Sequence, residues 1–211
     1  MKNQHAIFRF TIALLFAISR FNGYAQQTSA TQTINYQLDV KQSKILWQVP
    51  KNKHYGFLLF NSGSLNATAP GKPTGGTFSM NMNSMRSTDH KLQKDNQEID
   101  DLLRSDGYFA IAKYPTATMV VLNIAPTNNP VQFKVSGNLT IKSSTNPIFF
   151  IANIKTVNKD MRITANLKID RMKWHITGET EHFIFSIKEN LQDAFIADEI
   201  PITLNLVFHQ I

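Results

Sequence analysis

The 211-residue sequence contains no cysteine. That excludes a disulfide framework, a zinc–thiolate site and a thiol nucleophile, and it leaves the fold to be held by its core alone. Catalytic signatures are missing as well. Ser62-Gly63-Ser64 lacks the GxSxG pattern and its strand–turn–helix setting. Gly75-Gly76 precedes a strand rather than a helix, so it offers no phosphate cradle. The histidines His54, His90, His175, His182 and His209 show no HxH, HExxH or i,i+4 pairing, and their spacing predicts no metal site. Glu98, Asp100 and Asp101 fall close together in a helical stretch and read as its solvated face, not as an acid–base pair. These absences predict a protein without catalytic residues, metal or cofactor.

Charge is sparse too, at 18% of residues, and no Arg/Lys cluster interleaved with aromatics appears, which argues against a nucleic-acid partner. Residues 1–25 read as a secretory signal peptide. Lys2 and Arg9 give a positive start, Phe10 to Ile18 an apolar run, and Gly23-Tyr24-Ala25 small residues before a cut after Ala25. That run is far short of the roughly 20 residues that span a bilayer, so no stable membrane span is expected after signal removal. The absence of cysteine behind it excludes lipoprotein-type attachment. The expected location is periplasmic or secreted. Removing Lys2, Arg9 and Arg20 from 22 basic residues leaves 19 against 15 acidic ones, a net charge of +4. Residues 26–33 form a polar tail, and 34–211 read as one domain.

What the chain does have is apolar side chains, 42% of the total with fifteen Phe and seven Met, laid out at the strand period. Ile45, Trp47 and Val49 share a face. Tyr55 to Phe60 is apolar on both faces, and Asn61 to Ser64 reads as a turn or bulge. Ala69 to Gly76 reads as a loop, after which Phe78, Met80 and Met82 alternate with polar neighbours. Met119 and Val121 share a face; Phe133 and Val135 lead through Gly137, read as a bulge, to Leu139 and Ile141. Ser143 to Pro147 turns the chain into Ile148, Phe150, Ala152 and Ile154. Further alternating faces are Ile163 to Ile169 and Ile202 to Phe208. Some eight to ten strands with short turns predict an all-β protein, an antiparallel β-barrel of about eight strands whose closure leaves no exposed edge.

Against this grammar stands one amphipathic helix, expected over about 89–105. Leu92, Ile99, Leu102 and Leu103 form its apolar stripe, Thr88 or Asp89 its N-cap and Gly107 its C-cap. It reads as a lid or plug packed on the barrel. A short second helix is expected near 188–198.

If the alternating faces point inward, the interior holds Trp47, Leu58, Phe60, Phe78, Met80, Met82, Met119, Phe133, Phe150 and Ile163. Pattern alone favours a packed core. A barrel of this size can instead hold one elongated ligand, and methionine beside phenylalanine suits a long flexible guest.

Several segments together resemble the YceI family over roughly Ile34 to Ile211. They are Tyr36-Gln37-Leu38-Asp39 with Ser43-Lys44-Ile45-Leu46-Trp47, then His54-Tyr55-Gly56, then Met82-Asn83-Ser84-Met85 with Thr88-Asp89. Most specific is Leu103-Arg104-Ser105-Asp106-Gly107-Tyr108-Phe109 followed by Lys113-Tyr114-Pro115-Thr116-Ala117-Thr118. Asp170-Arg171-Met172-Lys173-Trp174 and Asp198-Glu199-Ile200 close the series. Departures are Asp101 before Leu102, where many members carry His; apolar Phe57 and Leu59; and Trp174-His175-Ile176 in place of a Tyr/Phe-Gly-Ile. The resemblance implies a lipocalin-like barrel whose interior holds a long isoprenoid or similar amphiphile, in an exported protein without established catalytic residues. Head-group selection would then fall to polar rim residues, for which His54, Asn61 and His90 are the candidates. The leading expectation is a non-enzymatic carrier of a polyisoprenoid, an isoprenoid quinone or a similar lipid, serving transport, storage or stress protection. Its rivals are a secreted interaction protein with a packed barrel and, behind that, a hydrolase or isomerase acting on a bound lipid. The sequence leaves open a homodimer.

Overall fold

Alternation along the strands produces the barrel. The computed structural model describes residues 33–49, 54–178 and 198–211. Its strands are β1 (Ile34–Leu38), β2 (Lys44–Val49), β3 (His54–Ala69), β4 (Lys72–Ser87), β5 (Thr116–Pro126), β6 (Gln132–Ile141), β7 (Ser144–Val157), β8 (Asp160–Asp170) and β9 (Glu199–Gln210). From β3 to β9 each pairs antiparallel with the next. In β5, Ala117, Met119 and Val121 are buried between exposed Thr116, Thr118 and Val120, as a sheet with one face on a core requires.

Closure comes from β1 and β2. Trp47 of β2 stands opposite both Gly56 of β3 and Ile202 of β9. Tyr36 of β1 stands opposite Leu65 and Gln210 of the same two strands. The two short strands are therefore successive lengths of a single stave, and the barrel has eight staves. Asp39 makes the interruption a tight turn, its carboxylate accepting from the amides of Lys41 and Gln42 at 2.9 and 3.1 Å. The fully buried Ser43 repairs the ladder there: its hydroxyl accepts from Val207 N at 3.0 Å.

Asn61 to Ser64, read as a turn or bulge, holds the bulge: β3 runs on through it for sixteen residues, with a register shift between Phe60 and Ser62. Two details differ from the sequence reading. The loop expected over Ala69 to Gly76 shrinks to Pro70-Gly71, because Gly71 takes φ +72° and lets the hairpin close at once. Gly137 is not the bulge; the extra residue sits opposite, between Val121 and Asn123 of β5. Gly137 is needed for close approach, since a Cβ there would lie 2.3 Å from Val120 O.

The helix, α1, spans Gln93–Arg104, shorter at its start than expected. Leu92, expected in the apolar stripe, instead precedes the helix at the N-cap and is 66% exposed; no side chain caps this end, since Asp89 is committed elsewhere. The C-terminus is closed by Ser105, not Gly107, with both its amide and hydroxyl on Leu102 O. Ile99, Leu102 and Leu103 are buried as the stripe predicts. Asp100 is buried with them and is no part of a solvated face: it accepts Ser87 N at 2.6 Å, and burial raises its pKa.

Alternating strand directions put α1, the ends of β2, β4, β6 and β8, and a 3₁₀ turn at Arg171–Trp174 at one end of the barrel. The described residues belong to one compact unit. Among them no helix is long and apolar enough to cross a membrane. The expected signal peptide over 1–25, the tail to residue 32, the second helix to residue 197 and His182 lie outside the described residues.

Candidate functional site: an apolar barrel cavity and its rim

The barrel interior holds a partly open cavity of about 190 Å³, and every residue lining it is apolar. Nine of the expected inward residues line it: Trp47, Leu58, Phe60, Phe78, Met80, Met82, Met119, Phe150 and Ile163. Phe133, one step into β6 at the end away from α1, is buried in the wall but is not among the lining residues. The phenylalanine rings of the lining interlock with the core: Phe78 lies 6.0 Å from Phe60 and, edge-on, 5.9 Å from the buried Phe208. The indole Nε1 of Trp47 is buried and has no hydrogen-bond partner among the described residues.

Sequence reasoning missed the residues that close the α1 end. Phe109 and Ile176 line the cavity there beside Leu103 of the expected plug stripe, and these two belong to irregular segments where no periodicity operates. Hydrogen bonds hold these segments instead of a ladder. Phe109 N bonds Leu103 O at 3.1 Å, and Ala110, at φ 47°, bonds Ser105 O at 2.8 Å. Gly178 N reaches across to Gly107 O at 3.0 Å. Lys142 Nζ donates to Tyr108 O and His175 O at 3.0 and 3.2 Å. Arg171, buried, donates to Ile176 O at 2.5 Å and faces Asp198 at 3.5 Å. Asp170 caps the 3₁₀ turn through Met172 N, and the buried Trp174 donates to Leu139 O at 3.0 Å. Of the segments that resemble the family, those over residues 103–109 and 170–174 thus build one floor across the barrel end, while those over 36–38 and 44–47 are strands of the wall.

Two of the three rim candidates meet. His54 opens β3 with the inward parity of Leu58 and Phe60, and its Nδ1 lies 2.5 Å from Asp89 Oδ2. His90 Nε2 lies 3.2 Å from the same oxygen, and the imidazole centroids are 5.5 Å apart. Burial opposes charge on Asp89, but hydrogen bonds from Ser87 and His54 prevail and lower its pKa. Asn61 is elsewhere, exposed on the outer wall and donating to Ser79 Oγ at 3.3 Å. It is not a rim residue, because β3 continues past it to Ala69.

A closed antiparallel barrel of eight staves around an apolar cavity defines the lipocalin-like class. The chain belongs to the family of the YceI-like domain, whose model matches residues 36–208. No curated protein matches it. Among solved structures it is similar to BcnA of Burkholderia cenocepacia (19% identity, TM-score 0.59, covering 81% of this chain and 98% of that one). It is also similar to a polyisoprenoid-binding domain from Saccharophagus degradans implicated in plant cell wall breakdown (16% identity, TM-score 0.58, 83% and 98%). The YceI protein of Campylobacter jejuni matches at 18% identity and TM-score 0.51, over 100% of this chain and 99% of that one. At these identities the likeness establishes the fold.

Proposed function

We propose that this protein is a non-catalytic binding protein that holds one long apolar lipid, a polyisoprenoid or isoprenoid quinone, inside its barrel. The observation that carries the reading is the cavity of about 190 Å³ with a wholly apolar lining. That is room for on the order of ten waters, yet a water there would find none of the two to four polar partners it needs. Left empty, a void of that size costs about 4–5 kcal/mol at roughly 24 cal/mol per Å³. An apolar guest offsets this and gains about 0.8 kcal/mol per buried CH₂. The similar polyisoprenoid-binding domain supports the same class of guest. Family membership and the signal-like start of the sequence support export to the periplasm or beyond. With a cavity left by its side chains the packed-barrel interaction protein loses its premise, and a lipid-acting enzyme would need a polar group facing the guest, which the lining lacks.

The test is lipid uptake by delipidated protein, read as quenching of the fluorescence of its two tryptophans, Trp47 and Trp174, by a long-chain quinone. Unsubstituted protein is expected to take up one equivalent. Ala152→Phe places a ring in the cavity wall and is expected to lower uptake at least about tenfold, at a folding cost of about 1–3 kcal/mol. Equal uptake by the folded variant and the unsubstituted chain would contradict the reading.

A further inference from the structure

We infer that His54, Asp89 and His90 form a divalent transition-metal site on the rim at the α1 end of the barrel, with zinc as the ion the donor set suits. The three side chains each offer a ligand atom, all within 4.8 Å of one another. Asp89 Oδ2 is the centre of the group, 2.5 Å from His54 Nδ1 and 3.2 Å from His90 Nε2. Around zinc, ligand atoms sit about 2.0–2.2 Å from the ion, which sets them roughly 3.3 Å apart in a tetrahedron. The His54–Asp89 pair therefore opens slightly as the ion takes the place of the shared proton, and His90, the most exposed of the three at 39%, swings to complete the set.

The surroundings favour a cation at this point. Two arginines stand nearby, but both face Asp100, Arg86 at 3.8 Å and Arg104 at 4.0 Å. The carboxylate of Asp89, 7% exposed, is left to the imidazoles. The Asp89 carboxylate is oriented from behind, as metal ligands commonly are, and the backbones that carry the two imidazoles are held in place. Ser87 donates its hydroxyl to Asp89 Oδ1. The Asn96 side chain clasps the backbone of His90, accepting from its N at 3.0 Å and donating to its O at 2.9 Å. His54 is fixed as a strand residue opposite Val49. Two imidazoles and one carboxylate give three protein ligands, and the exposed side of His90 leaves a fourth position open to water or a ligand oxygen, the pattern of an open zinc site. Imidazole with carboxylate suits zinc and its borderline neighbours rather than magnesium or calcium.

Sequence spacing concealed this site because Asp89 and His90 are adjacent while His54 lies 35 residues earlier. Pairing of Gly56 with Ser87 in the β3–β4 ladder brings them together.

The test uses the untagged full-length chain stripped of metal, titrated with Zn(II) in competition with a chromophoric chelator. One equivalent is expected to bind, with His54→Gln and His90→Gln each weakening it at least about tenfold and His209→Gln leaving it unchanged. Co(II) provides the second readout on the unsubstituted protein, free of any folding defect. It is expected to show visible d–d bands of a low-coordinate site and paramagnetically shifted ring protons from two histidines. No saturable zinc binding, an affinity unmoved in folded rim variants, or a Co(II) spectrum without histidine shifts would each overturn the proposal in favour of a plain imidazole–carboxylate hydrogen-bond cluster.

Discussion

His209 stands between two carboxylates, its Nδ1 2.8 Å from Asp160 and its Nε2 3.1 Å from Asp39. A protonated imidazole donates to both and ties β9 to β8 and to the turn that interrupts the first stave. The bonds to Asp160 and then Asp39 raise the His209 pKa above its ordinary 6.5. The His209 and Gln42 hydrogen bonds outweigh desolvation and lower Asp39 from 3.8 to about 2. The raised histidine contributes stability that is fully present below 6.5 and is lost as pH rises through its folded value. The lowered aspartate contributes stability present above 3.8 and lost as pH falls through about 2. Both contributions coexist between pH 3.8 and 6.5. The Tm gap between the unsubstituted protein and His209→Gln, followed by circular dichroism, is expected to be widest in that window and to shrink at higher pH. A gap that stays constant from pH 5 to about 9 would contradict the assignment; both groups are solvent-accessible, so the gap is small.

At the scale of elements, α1 shows what is legible in a sequence and what is not. The stripe of Ile99, Leu102 and Leu103 is written in helical spacing and is buried. Asp100 carries no such mark: its role depends on Ser87, thirteen residues earlier on β4, whose amide it accepts at 2.6 Å. The start of the helix misled for the same reason, since Asp89 has the chemistry of an N-cap but is drawn to His54 and Ser87 by tertiary contacts. The strands were legible because alternation is local. Phe109 and Ile176 were not, because their place at the cavity comes from backbone bonds between irregular segments. Asp100→Ala leaves a buried Ser87 amide without its partner, so it is expected to cost about 1–3 kcal/mol in urea unfolding, while Asp100→Asn keeps an acceptor and costs less. Equal losses in the two variants would refute a hydrogen-bonding role for this carboxylate.

For the whole molecule, the decisive property is that closure of eight staves leaves an apolar space the side chains do not fill. Composition showed the apolar load, and alternation showed which residues face inward. Neither distinguishes a filled core from a hollow one, because the difference lies in how side chains from opposite walls meet, and residues as small as Ala117 and Ala152 on the lining leave space between the walls unfilled. A guest that binds only the folded barrel also stabilises it by mass action, on the order of 2.7 kcal/mol at a hundredfold excess over Kd. The most direct measurement is native mass spectrometry of the protein purified without detergent from the organism that carries it, followed by organic extraction. The account predicts one bound species whose mass contains prenyl repeats, released on unfolding. A bare polypeptide mass, together with failure to take up any added quinone or polyprenyl lipid, would contradict it.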